Sequence, residues 1–206
     1  MGRPFVEFTF FTSILLGQTS QASRIPPHLS MTVLLHDHAR VAEGQLSQAE
    51  QAIIRIFAEA GIEMILLDCT SPSAPDHTAP ECLRPLGPTD LVVRIEPGVR
   101  PGSKRALGFS QGTTYASIYY RRAAEIAGEQ LAQEGDILGC GIAHEIGHLL
   151  LRSQSHSPRG IMRAEWGKEE LKLISTRSLH FTPQQAEVMR AELTRRTSLL
   201  PQSAFR

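Results

Sequence analysis

The chain has 206 residues, 41% hydrophobic and 20% charged, a make-up that fits a single soluble domain with a core of its own. Lys plus Arg and Asp plus Glu both number 21, so the formal net charge is zero and no overall field recruits nucleic acid or anionic lipid. The short basic pairs Arg121-Arg122 and Arg195-Arg196 do not continue into stripes and read as solvated faces without a binding role.

Residues 1–22 differ from the rest. Arg3 precedes an apolar run from Phe5 to Leu16, broken by Glu7 and by hydroxyl residues, and Ser20 and Ala22 offer the small side chains that a signal peptidase needs. The segment reads as a signal peptide released before Ser23, in competition with an ordinary N-terminal strand, and it is too short to span a membrane. Residues 23–206 then form one domain, secreted or periplasmic if exported and cytoplasmic otherwise.

Met31 to Leu35 reads as a strand, and Ser47-Gln48-Ala49-Glu50 as the capping box that starts a helix. Ile53, Ile54, Ile56, Phe57 and Ala60 give that helix an apolar face, and Gly61 ends it. Ile62 to Leu67 reads as a buried strand and Leu91 to Ile95 as another. Between them, Cys69 and Cys82 enclose 12 residues that include Pro72, Pro75 and Pro80. So poor a core-former is a natural place for a disulfide, worth roughly 3 kcal/mol in an oxidising compartment, whereas a reducing one would leave two free thiols. Cys140 lies in an apolar run and reads as a small buried hydrophobe. Strands at Ala106 to Ser110 and Tyr115 to Tyr120, separated by Gln111-Gly112-Thr113, complete an α+β pattern: a mixed sheet with a backing helix.

After Gly135 the pattern becomes one long helix. Asp136 is a fair N-cap, and Ile137 to Leu151 holds no Pro and no charge except Glu145, so the helix is a largely buried rod. Into it the sequence places His144, Glu145 and His148. Residues four apart share a helix face, so two imidazoles can converge on one ion while the neighbouring carboxylate reaches over it. A zinc ion so held acidifies water, and Glu145 is placed to take the proton as a carbonyl is attacked and to return it to the leaving amine. A chain with this many His and Glu matches the five-residue pattern by chance in roughly 2% of cases, and a chance match would seldom fall in an uncharged helix, where lone His and Glu are costly.

Downstream stand Ser155-His156-Ser157-Pro158-Arg159-Gly160-Ile161-Met162. With the helix motif His144-Glu145-Ile146-Gly147-His148-Leu149-Leu150, this stretch resembles the metzincin clan of zinc peptidases, nearest to small secreted bacterial members. The resemblance implies a zincin-like fold over roughly residues 31–197, and one zinc per chain on His144, His148 and His156. It also implies Glu145 as general base, Met162 in a methionine turn, Ala106 to Ser110 as a substrate-binding edge strand, and a closing helix capped by Thr182-Pro183-Gln184-Gln185. The clan's pattern asks for Gly and His where this chain has Leu151 and Gln154, and His156 arrives two residues late. The geometry also demands that the chain turn back after the helix, because eight more helical residues would carry His156 about 12 Å along the axis. The competing third ligand is a carboxylate, chiefly Glu165 with Glu169 or Glu170 behind it.

His36 and His38 flank Asp37 at a strand end and read as exposed polar residues rather than a second metal site, and His28, His77 and His180 as surface. Trp166, the single tryptophan, reads as packed on the core rather than touching substrate. The expected function is a zinc-dependent endopeptidase acting as a monomer on peptide or protein substrates, with neither nucleic acid nor membrane as partner. The alternatives are a zinc hydrolase of a non-peptide amide and a zinc-stabilised binding module without turnover.

Overall fold

The computed structural model describes residues 29–70, 80–98, 106–128 and 131–199. The expected signal peptide at 1–22 with its cleavage before Ser23, and His28 and His77, lie outside the described residues. Five strands, β1 (Ser30–Asp37), β2 (Glu63–Asp68), β3 (Asp90–Glu96), β4 (Gly108–Gln111) and β5 (Tyr115–Tyr119), form one sheet in the order β2-β1-β3-β5-β4. All neighbours run parallel except β4, which lies antiparallel to β5 with Gly108 opposite Ile118 and Gln111 opposite Tyr115. The central β3 buries Leu91, Val92, Val93 and Ile95, the near-continuous apolar run of a parallel strand covered on both faces. Ile62 to Leu67 was expected to be buried throughout, but β2 is an edge strand, and Ile65 on it is exposed.

Five α-helices and a 3-10 turn at Pro80–Cys82 complete the described chain: α1 (Glu43–Glu59), α2 (Tyr120–Ala127), α3 (Glu134–Leu151), α4 (Lys168–Ser175) and α5 (Pro183–Thr197). The fold is thus an α+β, zincin-like arrangement of a mixed sheet, a backing helix, a long buried helix and a closing helix. Two helix starts differ from the sequence reading. α1 begins a turn before Ser47, at Glu43, with Ala42 as an N-cap that makes no side-chain bond. Asp37 does the local work instead, because its carboxylate accepts from the N–H groups of Ala39 and Val41 and folds the chain leaving β1 towards the helix. α3 begins at Glu134 rather than after Asp136, whose carboxylate lies in the first turn and accepts from Gln48 Nε2 at 2.8 Å. α5 starts as its sequence predicts: Thr182 Oγ1 accepts from Gln185 N–H, and Gln185 Oε1 accepts from Thr182 N–H.

α1 and α3 cross closely against the sheet. A Cβ at Gly139 would sit 2.6 Å from the carbonyl oxygen of Ala49, and one at Gly135 equally near that of Gln45. Glycine at this four-residue spacing lets the backbones meet and places the middle of α3 among Ile53, Ile56, Ile137 and Leu138 of the core. Cys69 and Cys82 form a disulfide with a Cα–Cα distance of 5.6 Å, beside a small apolar cluster of Leu34 and Val92, while Cys140 is free and buried. Among the described residues no helix is long and apolar enough to cross a membrane.

Candidate metal centre

α3 is buried along almost its whole length, so its polar side chains need partners within the protein. Its last turn ends on Arg152, which adopts the left-handed conformation at φ 51° where many helices use glycine. The chain turns back there. Ser153 C=O accepts from His148 Nδ1 at 2.7 Å, and Ile161 C=O accepts from His144 Nδ1 at 2.7 Å. A backbone carbonyl can only accept, so each Nδ1 carries the proton and each Nε2 presents a lone pair.

Those Nε2 atoms face one another at 3.1 Å. Two lone pairs this close repel unless a cation or a shared proton lies between them, and two nitrogens on one tetrahedral zinc would stand about 3.3 Å apart. His156 completes the group: ligand atoms of His144, His148 and His156 all lie within 4.8 Å of one another, and the His156 ring centroid is 5.3 and 4.9 Å from the other two. The first two rings are buried and His156 is exposed, which leaves the centre open on one side. The three nitrogens suit a borderline-soft divalent ion such as zinc with one position free. Burial lowers the pKa of His144 to about 4 and also lowers that of His148, with His156 nearby adding to both shifts. Both rings are thus neutral at physiological pH, the form that binds metal.

The segment that carries His156 is braced from below. Ser157 N–H donates to Met162 C=O at 2.8 Å, Ile161 N–H donates to His180 C=O at 3.0 Å, and Gly160 takes φ 75° with its α-carbon facing that same carbonyl. Met162 is buried beneath the helix, and a Cβ on Gly147 would lie 2.5 Å from its Sδ. Gly147 therefore lets the turn approach the backbone between the two helix histidines. Of the competing carboxylates, Glu170 is committed to Arg163 Nη1 at 2.6 Å and to Gly167 N–H at 2.9 Å. Glu165 lines the cleft, but no carboxylate joins the three-histidine group among the described residues.

Glu145 lies beside the centre, 5% exposed, against the bare backbone of Gly108, where a Cβ would stand 2.9 Å from Glu145 Cγ. Burial pushes its carboxyl up to about 8. The cleft above, about 510 Å³ in volume, is lined by Leu107, Phe109, Glu145, the three histidines, Ala164 and Trp166 among others. β4, the last strand of the sheet, contributes Gly108 and Phe109 to the lining.

Residues outside the three-histidine group match the sequence reading in part. Trp166 packs against the core but also walls the cleft, with Nε1 donating to the Ile161 carbonyl at 3.3 Å and its ring edge-on to His144. Arg122 is not a merely solvated residue, because it reaches the cleft from α2. Arg196 is buried, bonded to Glu192 and to the carbonyl of Leu149 in the last turn of α3. The sequence reading contains neither α2 nor α4, although Arg121 and Glu125, four apart and ion-paired at 3.2 Å, are a readable sign of the first. His36 is half-buried and His38 exposed, their rings stacked at 6.1 Å, and His180 is half-buried against Glu59.

No family model and no curated protein matches the sequence. Among solved structures the chain is similar to the crystal structure of a zinc-dependent peptidase from Methanocorpusculum labreanum (strain Z), with a TM-score of 0.53 and 16% identity. The similarity covers 77% of this chain and 99% of that one, and at this identity it speaks for the fold.

Proposed function

We propose that the protein is a zinc-dependent endopeptidase of metzincin-like type, holding one zinc per chain on His144, His148 and His156. The observation that carries this reading is the convergence of three imidazoles beside a buried carboxyl in a cleft lined in part by the last strand of the sheet. When bound, zinc would supply Lewis-acid chemistry, acidifying water and polarising a substrate carbonyl. Glu145 takes a proton on its carboxylate as the water attacks and gives it to the leaving amine. β4 offers main-chain groups to an extended peptide, and an extended segment laid along that edge has no need of a free terminus, which favours internal cleavage. The Ile161 and Ser153 carbonyls hold the imidazoles in the metal-binding tautomer, and Met162 supports the turn that delivers the first of these. The similarity to a zinc-dependent peptidase fold supports the same reading. The disulfide favours export to a secreted or periplasmic location, with residues 1–22 as the signal.

Purified protein should contain about one zinc per chain and should cleave a mixed protein substrate. A chelator should abolish the cleavage, and added zinc should restore it. Cleavage that survives complete removal of metal would sink the proposal.

A further inference from the structure

We propose that Arg122 makes the α2 end of the cleft a subsite for a carboxylate-bearing side chain of the substrate. That the occupant is a substrate rests on the peptidase reading; the subsite itself rests on charge and geometry.

α3 and β4 run side by side, which gives the cleft an axis. A Cβ on Gly141 would touch Leu107, one on Gly108 would touch Glu145, and Gln154 Nε2 donates to Ser110 Oγ at 2.9 Å. The histidines and Glu145 thus lie between a Gln154 end and a Leu107 end. Because Gly108 pairs with Ile118 near the close of β5, the Leu107 end abuts α2, which follows directly. Arg122 and Ile126 of α2, four residues apart on one helix face, line this end together with Leu171 of α4.

The charges there are unequal. Arg163 is neutralised by Glu170, which is itself held by Gly167. Arg122 makes one hydrogen bond among the described residues, from Nη1 to Glu125 Oε2 at 3.3 Å, and Glu125 is shared with Arg121. The Nε of Arg122 is buried without a partner. Two guanidiniums on one exposed carboxylate leave surplus positive charge on this wall. Glu165, exposed and also lining the cleft, belongs to the segment after the methionine turn rather than to this α2 wall. An incoming side chain of the glutamate kind would pack its methylene stem on Ile126 and Leu171 and accept from the guanidinium. Glu145 lies on the α2 side of His148 along the cleft and, in the proposed chemistry, returns its proton to the leaving amine. The side chain that reaches Arg122 therefore belongs to the residue after the scissile bond.

The test is calorimetric binding of two short peptide hydroxamates to the zinc-loaded full chain, identical except for Glu or Gln next to the zinc-binding head. The Glu ligand should bind tighter by about tenfold or more, the scale of one charge-assisted bond. In Arg122→Met the ratio should fall to about one, and Arg122→Lys should keep part of it. Equal affinities in the wild-type protein, a preference that persists in Arg122→Met, or failure of both ligands to bind overturns the subsite. Hydrolysis of the matching peptides is scored separately: a Glu preference in binding without cleavage would sustain the subsite and remove the peptidase reading.

Discussion

In the proposed mechanism Glu145 is the residue on which chemistry and stability meet most directly. Glu145→Gln should keep its zinc and lose at least ~10²-fold in turnover, as expected for a general base; unchanged turnover would take it out of the mechanism. The same side chain makes the metal-free protein sensitive to pH. Its carboxyl, pushed by burial from the usual 4.5 to about 8, holds a proton in the folded state that the unfolded chain releases. Stability contributed by that proton is present at low pH and is lost as pH rises through about 8. The Tm difference between metal-free Glu145→Gln and metal-free wild type should therefore grow from pH 5 to pH 8 in favour of the variant, and a constant difference would show the carboxyl to be ordinary. His156 and Glu165 give a second comparison. His156→Ala should weaken zinc binding by more than the ~10–100-fold typical of outer-shell changes, and Glu165→Ala should leave it near wild type. The reverse result would replace His156 with a carboxylate ligand.

At the level of elements, the position of α3 depends on what it lacks as much as on what it carries. Gly139→Ala would drive a methyl into the carbonyl of Ala49 and against Ala52, neither of which can rotate away, so a loss of about 1–3 kcal/mol in denaturant unfolding is expected. A neutral result would mean that α1 and α3 are not in backbone contact. The other end of α3 is tied to α5 through Arg196, which binds both the Leu149 carbonyl and Glu192. Hydrogen bonds from Arg195 and Arg196 hold the Glu192 carboxyl down at about 2 instead of 4.5. Its stabilisation is present above about 4.5 and disappears as pH falls towards 2. Glu192→Gln should flatten that part of the acid unfolding curve.

Across the whole molecule, covalent and packing restraints divide the labour. The Cys69–Cys82 bridge lies in a small cluster of its own beside Leu34 and Val92, apart from the main core, and its reduction should cost about 3 kcal/mol while leaving the metal centre in place. Cys140 is held in the core, its thiol pushed up to about 12 by burial, so it should resist alkylation until the protein unfolds. A non-reduced digest of natively produced protein should join Cys69 to Cys82 and leave one thiol; three reactive thiols in the folded protein would refute both statements.

The helix motif was legible because its information is local: four residues make one helical turn, and a charge-free rod made His144, Glu145 and His148 conspicuous. The capping box of α5, the Gly61 stop and the strand sequence were legible for the same reason. Other features depend on residues distant in the chain. Sequence left β2 as a buried run, and only the order of the sheet made it an edge. Sequence left His156 in competition with Glu165, and only the fold brings its ring to the two helix imidazoles while binding Glu170 to Arg163. The basic pairs looked alike and uninformative, yet tertiary packing sends Arg122 into the cleft and Arg196 under the end of α3. Short-range periodicity and turn chemistry set each element, whereas burial, charge pairing and the approach of one backbone to another exist only once the elements are packed.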